Sequence, residues 1–226
     1  EPKKYGVTPP MSATVYVGTE LKRFKRGAKR HKEEIVKPEG EFWVTYAGTL
    51  GASYDLETLI EAAGLLHKRG LTAVKTVLLG AGPEEDKLKA AAAKSGADVR
   101  FAGYLPYEEM AAWLKASDVT VNSLVAKASQ SIVSKIGDYL AAGRPMINTG
   151  LNREFKDKVT ADGFGLNVPP GNAAALADAI EALYNSPDTR REMGQKAKLI
   201  AETQFDRPVS YEAIVRIVTE LTGSEA

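Results

Sequence analysis

The sequence contains no cysteine, and this absence excludes disulfide bonds, cysteine metal ligands and a cysteine nucleophile. Its only histidines are His31 and His67, too few for a histidine-rich metal site, and no acidic cluster that could hold a catalytic metal is evident. It has no run of about 18 apolar residues, the length that a membrane-spanning helix needs, and no signal-peptide pattern. From these absences we expect a cytoplasmic protein that works without a bound metal.

The rest of the composition is that of an ordinary globular chain. Its 226 residues can form one large domain or two small ones around a sizeable core. Hydrophobic residues make up 44% and charged residues 26%, which is typical of soluble domains. The chain begins at Glu1 rather than at methionine, so we expect the natural protein to extend further at its N-terminus.

The charges are unevenly distributed although the formal net charge is only +1. Seven lysines and arginines fall between Lys22 and Lys32. This run is either a solvated surface, which we favour, or a contact with an anionic membrane surface. A nucleic-acid partner is disfavoured, because the run lacks the repeated aromatic residues on which bases stack.

From residue 41 onwards, short apolar runs alternate with helical patterns. The predicted strands cover residues 42–47, 74–79, 98–102, 118–122, 145–149 and 164–168, and a further short strand is predicted at 14–17. The predicted helices cover residues 55–69, 84–94, 107–116, 134–142, 173–184, 187–203 and 209–221. This alternation predicts a Rossmann-like α/β fold, in which a doubly wound parallel sheet carries helices on both faces.

Glycine-bearing turns follow several of the predicted strands. They are Gly48–Gly51, Gly80–Pro83 and Gly103–Pro106, and a polar loop leads into Ser134 in the same way. In parallel sheets ligands lie beyond the carboxyl ends of the strands, so these turns predict a nucleotide-type cleft. NAD is disfavoured because Gly80–Pro83 lacks the third glycine of the dinucleotide fingerprint, and neither a Walker A sequence nor a G-x-S-x-G elbow occurs.

The segment Ser129–Gly150 contains the strongest candidates for binding residues. Ser134 is a plausible N-cap of a short helix, and Lys135 and Asp138 share one face of that helix. Free backbone N–H groups at a helix start suit a phosphate, and a carboxylate one turn later could accept hydrogen bonds from ribose hydroxyls. The alternative is that Lys135 and Asp138 form a solvated surface pair that contributes only a few tenths of a kcal/mol.

The order and spacing of these pieces resemble the C-terminal, donor-binding domain of GT-B glycosyltransferases, specifically the retaining family 4, or glycosyl transferases group 1. The resemblance runs from about residue 12 to the C-terminus. Seven segments carry it: Gly48-Thr-Leu50 with Leu59-Ile-Glu-Ala62, Leu79-Gly-Ala-Gly-Pro83, Phe101-Ala-Gly-Tyr-Leu-Pro106, Asp118-Val-Thr-Val121, Asp138-Tyr-Leu-Ala-Ala-Gly-Arg-Pro145, Phe164-Gly-Leu-Asn-Val-Pro-Pro-Gly171, and Arg191-Glu-Met-Gly194 with Phe205.

The resemblance implies a nucleotide-sugar-dependent glycosyltransferase of which this chain is one half. Residues 1–40 would connect to a missing N-terminal domain, 41–205 would form the donor-binding domain and 206–226 a C-terminal amphipathic helix. The donor would be a UDP or GDP sugar, with no further cofactor. The Ser134–Pro145 string is similar to that of members from polysaccharide pathways, which implies a polysaccharide or lipid-linked acceptor in capsule, O-antigen or exopolysaccharide synthesis. Alone, this half is expected to bind nucleotide weakly and to turn over no substrate, and the catalytic residues remain unknown.

The candidate donor-binding residues follow from these turns and from the resemblance. They are Gly48, Thr49, Leu50, Gly51, Gly80, Gly82, Gly103, Tyr104, Gln130, Ser131, Ile132, Val133, Ser134, Lys135 and Asp138.

Three positions depart from the family pattern. The first acid of the family's paired carboxylates falls at Gln130, and its diphosphate-binding arginine and lysine fall at Thr49 and Tyr54. Lys135 is then the best remaining cation for a diphosphate. We favour a variant donor site over a non-catalytic pseudo-transferase that only binds or scaffolds. A sugar-nucleotide epimerase is a further alternative, and a signalling receiver is disfavoured because no acidic phospho-acceptor cluster stands out.

Overall fold

Six parallel strands form a single sheet in the computed structural model, which describes residues 15–128 and 132–222. The strands are β1 (Phe42–Ala47), β2 (Val74–Leu79), β3 (Val99–Gly103), β4 (Val119–Asn122), β5 (Met146–Asn148) and β6 (Gly165–Asn167). Their order in the sheet is β3-β2-β1-β4-β5-β6, so the winding direction reverses between β1 and β4. The predicted Rossmann-like fold is confirmed, and each of these strands overlaps its prediction to within two residues at either end.

Helices cover both faces of the sheet. Over the described ranges they are α1 (Leu21–Arg30), α2 (Leu56–Lys68), α3 (Glu85–Ser95), α4 (Tyr107–Ala116), α5 (Lys135–Ala142), α6 (Arg153–Asp162), α7 (Ala173–Asn185), α8 (Pro187–Ile200) and α9 (Arg207–Thr222). All but α1 and α6 were predicted. Helix α8 ends three residues earlier than predicted, because the backbone widens into a single broader turn over Ala201–Phe205.

The core consists of two apolar layers, one on each side of the sheet. Side chains along β1 alternate between the layers, so Trp43 and Ala47 enter one while Val44 and Tyr46 enter the other. The first layer is closed by α1, α4, α5, α6 and α8, and the second by α2, α3 and α7. All six residues of β1 are buried, as expected for a central strand covered on both faces.

The prediction of a strand at 14–17 is wrong for its described part, since residues 15–17 form no strand. The segment instead packs beside the junction of α8 and α9. Tyr16 stacks on Phe205 with a centroid distance of 4.7 Å, and the Thr19 N–H donates to the Phe205 carbonyl at 2.8 Å. Thr19 forms its one bridge with Asp206, so this part of the chain is held by the C-terminal helices and not by the sheet.

The basic run within residues 1–40, predicted as a connector, contains helix α1. Leu21 and Phe24 form its apolar face and are buried against α4 and α5, while the lysines and arginines lie on the outside. Gly27 lets the two backbones approach, because a Cβ there would lie 2.6 Å from the Glu108 Cα. The apolar residues Leu21 and Phe24 are three positions apart, as in an amphipathic helix, but the many charged residues around them kept this pattern from being recognised.

Helix α6 was also not predicted, since only Phe155 and Val159 on it are buried. Its N-terminus is capped by the Asn152 side chain, which accepts from the Phe155 N–H at 3.0 Å. Helix α9 has no buried residue, and none of the described helices is long and apolar enough to cross a membrane. The predicted division of the chain at residues 40 and 205 stays a prediction.

Candidate functional site

A cleft of about 430 Å³ opens at the carboxyl edge of the sheet, beside the point where the strand order reverses. Its walls come from the turn after β1, the start of α5, the inner face of α4, and the segment before α1 together with the start of α9. This is the position at which doubly wound sheets bind ligands. The cleft lies at the edge of the sheet that the glycine-bearing turns indicated, and of those three turns it is Gly48–Gly51 that contributes residues to its lining.

The first two glycine turns pack directly against each other. Gly80 has φ of +139°, and a Cβ there would lie 1.9 Å from the Gly48 carbonyl oxygen. A Cβ at Gly82 would lie 2.3 Å from the Leu50 carbonyl oxygen. These glycines therefore serve a close approach of two backbones, and the second turn supports the first from behind.

The turn after β1 also leaves space for the side chain of Lys135. Gly48 has φ of +147°, and a Cβ there would lie 2.3 Å from the Lys135 Nζ. That Nζ lies 4.0 Å and 3.8 Å from the ring centroids of Tyr46 and Tyr54. It donates a hydrogen bond of 2.8 Å to the Tyr46 hydroxyl, which itself donates to the Thr49 carbonyl at 2.8 Å. Lys135 is thus held between two aromatic rings at the first residue of α5.

The surroundings of Lys135 disfavour the charged form of its amine. Burial lowers the pKa of its ammonium from the usual 10.5 to about 7. Across the described part of the chain, no carboxylate forms an ion pair with it. A dianionic ligand in the cleft would therefore restore the lysine's positive charge and gain a strong, charge-assisted contact.

Asp138 lies on the next turn of α5 and also faces the cleft. Its Oδ1 accepts hydrogen bonds from the Thr19 hydroxyl and, at 2.7 Å, from the Tyr107 hydroxyl. Burial raises the pKa of the Asp138 carboxyl, and these two hydrogen bonds and the charge of Arg207 act in the opposite direction. Both hydrogen bonds go to Oδ1, and Oδ2 accepts none from a described residue, so the carboxylate is oriented with one oxygen left for a ligand.

Two arginines at the outer part of the cleft were not predicted. Arg23 on α1 lies with its guanidinium 4.9 Å from the Tyr107 ring centroid, and Arg207 donates to Glu20 at 2.7 Å. The Arg207 Nε is buried and has no partner among the described atoms. Both residues come from segments that the sequence showed only as a charged run and a helix start, so no local motif could have revealed them.

Of the predicted site residues that the structure describes, five line the cleft and eight lie behind it or outside it. Those that line the cleft are Gly48, Thr49, Ser134, Lys135 and Asp138. Those that do not line it are Leu50, Gly51, Gly80, Gly82, Gly103, Tyr104, Ile132 and Val133.

The residues that do not line the cleft differ in their surroundings. Leu50 is fully buried, Ile132 and Val133 pack against the core, and the Tyr104 side chain is 80% exposed. Gln130 and Ser131 lie outside the described residues. Ser134 precedes α5 as predicted, although its hydroxyl makes no capping hydrogen bond.

The fold and this cleft define a class: a doubly wound α/β domain with a ligand site at its topological switch point. Within that class, the model of the family described as "Glycosyl transferases group 1" matches residues 28–200. The chain belongs to this family, and the resemblance to its C-terminal GT-B domain is confirmed.

Two curated relatives and one solved structure illustrate the similarity. The chain is 32% identical over 181 residues to a D-inositol 3-phosphate glycosyltransferase of Arthrobacter sp. (strain FB24), a match that covers 76% of this chain and 41% of the relative. It is 26% identical over 189 residues to the putative glycosyltransferase EpsD of Bacillus subtilis (strain 168), covering 82% and 48%. The fold matches a crystal structure of Anabaena HepE in complex with UDP, with a TM-score of 0.79 at 17% identity over 96% of this chain and 60% of that one. The chain thus spans less than half the length of these curated relatives.

Proposed function

We propose that this chain is the donor-binding half of a nucleotide-sugar-dependent glycosyltransferase, and that its cleft holds the nucleoside diphosphate of a UDP or GDP sugar. The observation that carries the proposal is the start of α5, where Lys135 and Asp138 enter one cleft from the same helix. A cation and an oriented carboxylate one turn apart match the diphosphate and the ribose of such a donor.

The diphosphate end rests on Lys135 and on the helix that carries it. Backbone N–H groups at the N-terminus of α5 attract an anion, and the helix dipole adds to this attraction. Among the described residues, the partners of the Lys135 Nζ are two neutral tyrosines, so a bound diphosphate would supply a negative charge that they lack. As the donor's bond to the sugar breaks, the same groups would stabilise the growing charge on the leaving diphosphate.

The ribose end rests on Asp138. Thr19 and Tyr107 orient its carboxylate through Oδ1, which leaves Oδ2 to accept hydrogen bonds from vicinal hydroxyls. A preoriented acceptor loses little side-chain entropy when the ligand binds. This assignment makes Thr19 and Tyr107 positioning residues for the nucleoside.

Similar proteins support the same chemistry. HepE was crystallised with UDP, and EpsD and the D-inositol 3-phosphate enzyme are described as glycosyltransferases. We propose transfer of the sugar to a polysaccharide or lipid-linked acceptor, with the acceptor site in an N-terminal domain that precedes this half. A cytoplasmic location and a mechanism without cofactor or metal stay predictions, and among the described residues no group of three or more His, Cys, Asp or Glu is close enough to hold a metal ion.

Calorimetric titration of the chain with UDP, GDP, uridine and inorganic phosphate tests the proposal. One of the two nucleoside diphosphates should bind at least about tenfold more tightly than phosphate, since it engages both ends of the cleft. Lys135→Ala should weaken the preferred diphosphate by about tenfold or more and leave uridine unaffected, because only the diphosphate meets the lysine. The matched control is Lys94→Ala, an exposed lysine on α3.

Asp138→Asn separates the ribose contact from the diphosphate contact. This variant should reduce the preference for the ribonucleotide over its 2′-deoxy form, whereas Lys135→Ala should preserve that preference. Equal affinity of the unmodified chain for nucleoside diphosphates and inorganic phosphate would contradict the proposal. Full-length protein that binds donor but neither transfers nor hydrolyses it would favour the pseudo-transferase alternative, which the residues Thr49 and Tyr54 motivate.

A further inference from the structure

A second concave surface lies at the opposite, amino edge of the sheet. We call it the basic groove; it is a cavity of about 650 Å³ bordered by Lys25, Lys29, Lys32, Lys115, Arg144 and Lys198. Among the described residues that line it, no carboxylate is present. An adjoining cavity of about 410 Å³ shares three of these cations. Six positive groups therefore surround one opening on a chain whose net charge is only +1.

Some of these cations already have structural partners. The Lys115 Nζ donates to the Ala142 carbonyl at 3.0 Å, and the Arg144 Nη2 donates to the Lys115 carbonyl at 2.6 Å. Lys25 pairs with Glu202 at 2.7 Å. The contacts of Lys115 and Arg144 satisfy carbonyl groups at the ends of α4 and α5, where cations complement the helix dipole.

The other cations have weak partners or none in the described part of the chain. Lys32 is 3.6 Å from Glu33, and both side chains are largely exposed. Lys29 and Lys198 make no ion pair with a described residue. Crowding is also evident at Lys115, where partial burial and the neighbouring charges of Arg144 and Lys198 lower the pKa of the ammonium. The groove thus holds more positive charge than the surrounding chain neutralises.

The floor of the basic groove is apolar. It consists of Phe24, Ala28 and Ile35 beside the small side chains of α4 and α5. The Phe24 ring is only 1% exposed, so the described part of the groove offers no aromatic face on which a base could stack. Cations around an aliphatic floor suit an amphipathic anion better than a nucleic acid.

Helix α1 divides its charges between two sides, which refines the interpretation of the basic run. Arg23, Arg26 and Arg30 all approach the Glu108 carboxylate, at 3.6, 3.2 and 3.9 Å. The lysines at 25, 29 and 32 follow the other side of the helix and border the groove. The arginines of the run therefore gather around Glu108, whereas these three lysines border the groove.

The geometry points to the basic groove as a docking site for an anionic phospholipid surface, with lipid phosphates at the lysines and the upper part of an acyl chain over the apolar floor. Charge complementarity and the aliphatic floor carry this inference, since a membrane supplies both features together. Because the groove and the cleft open at opposite edges of the sheet, such docking would leave the cleft facing water. The inference is independent of what the cleft binds.

Vesicle co-sedimentation with the full chain tests it, using phosphatidylcholine vesicles with and without one third phosphatidylglycerol. The chain should bind only the anionic vesicles. The variant Lys29→Gln/Lys32→Gln/Lys198→Gln should bind them roughly tenfold to a hundredfold more weakly, since each lysine near an anionic surface contributes about a factor of five. The matched control Lys68→Gln/Lys94→Gln/Lys196→Gln removes the same charge elsewhere and should bind nearly as well as the parent chain. Thermal melts verify that both variants fold.

Ile35→Ser probes the floor without changing charge and should weaken vesicle binding several-fold; because Ile35 also packs against the core, the assay is run well below the variant's melting temperature. Absence of binding to anionic vesicles, or equal losses in the two triple variants, would overturn the inference. Tighter binding of single-stranded RNA or of polyglutamate than of vesicles, lost in the groove variant, would assign the groove to a nucleic acid or an acidic protein and would likewise overturn it.

Discussion

The two edges of the sheet treat positive charge in opposite ways. At the carboxyl edge, Lys135 lies at the start of a helix, and its partners within the described ranges are two tyrosines. At the amino edge, Lys115 and Arg144 lie at helix ends and donate to backbone carbonyls. In a parallel α/β unit every helix runs against its strands, so helix N-termini gather at one edge and C-termini at the other. Among the described residues, the fold therefore gives Lys115 and Arg144 carbonyl acceptors at the amino edge and gives Lys135 no anionic or carbonyl partner at the carboxyl edge.

This contrast distinguishes Lys115, a cation that stabilises the fold, from Lys135, a cation suited to binding a ligand. The pKa values of both Lys115 and Lys135 are lowered, in each case first by burial. The ammonium of Lys115 retains the Ala142 carbonyl as an acceptor, whereas that of Lys135 has a hydroxyl and two ring faces. A lysine kept from water without an anionic partner lowers the stability of the empty protein, and a ligand with negative charge can recover that loss.

The largest expected effect comes from breaking the glycine packing of the carboxyl edge. Gly80→Ala should lower the free energy of unfolding by ~3–5 kcal/mol, because its Cβ would overlap the Gly48 carbonyl and its φ of +139° disfavours any side chain. Gly70→Ala near the amino edge is the matched control. Its φ is +83° with nothing within 4 Å of the new Cβ, so only ~1–2 kcal/mol should be lost. Urea unfolding measures both, and equal losses would show that the close approach of the two turns is unimportant.

The second expected effect is a dependence of the free energy of unfolding on pH, which results from the burial of Lys135. Since the pKa of Lys135 is about 7 in the folded chain and 10.5 is usual, the unfolded chain holds more protons between these values. Stability should therefore rise with pH through that window, by at most ~1.4 kcal/mol per pH unit from this group, and the penalty should be fully present below pH ~7.

Lys135→Met should remove this rise and be more stable than the parent chain at neutral pH. The measurement is the difference in unfolding free energy between variant and parent at several pH values between about 6 and 10, which bracket the folded and the usual pKa. Lys94→Met, at an exposed position, should track the parent at every pH. A constant difference for Lys135→Met across this range would show that the amine stays charged in the empty cleft.

Much of the fold followed from local patterns, and the two missed helices show the limit. Continuous apolar runs identified the strands, because a strand covered on both faces must be apolar throughout. Helix α1 was missed because only Leu21, Phe24 and Gly27 of its residues are buried, amid six basic residues. Helix α6 was missed for the same reason, with two buried residues in ten. Amphipathic helices with narrow apolar faces become recognisable only once the surface on which they pack is known.

The residues of the candidate site were predictable only where several of them lie close together in the sequence. Ser134, Lys135 and Asp138 lie within five residues, so helical spacing alone placed the last two on one face. Thr19 and Tyr107 lie 119 and 31 residues from Asp138 in the sequence and reach the same cleft through hydrogen bonds to its carboxylate. Arg207 also lines this cleft and interacts with Asp138 through its charge. Glycine turns were correctly expected at the edge, but local sequence could not distinguish Gly48, which borders the cleft, from Gly80, which supports it from behind.

The smallest expected effect is at the amino edge and addresses whether its charges are all needed for folding. Lys198 borders both cavities there and makes no ion pair with a described residue, while Lys115 and Arg144 satisfy carbonyl groups. Lys198→Gln should therefore raise the unfolding free energy by about 0.5 kcal/mol or less at low salt, because it relieves repulsion with its neighbours, and the gain should vanish at high salt. Lys115→Met should instead lower stability by ~1 kcal/mol at either salt concentration, since the Ala142 carbonyl loses its donor. A loss of stability in Lys198→Gln would mean that this cation, too, holds the fold together, and the difference between the two edges would then lie in burial alone.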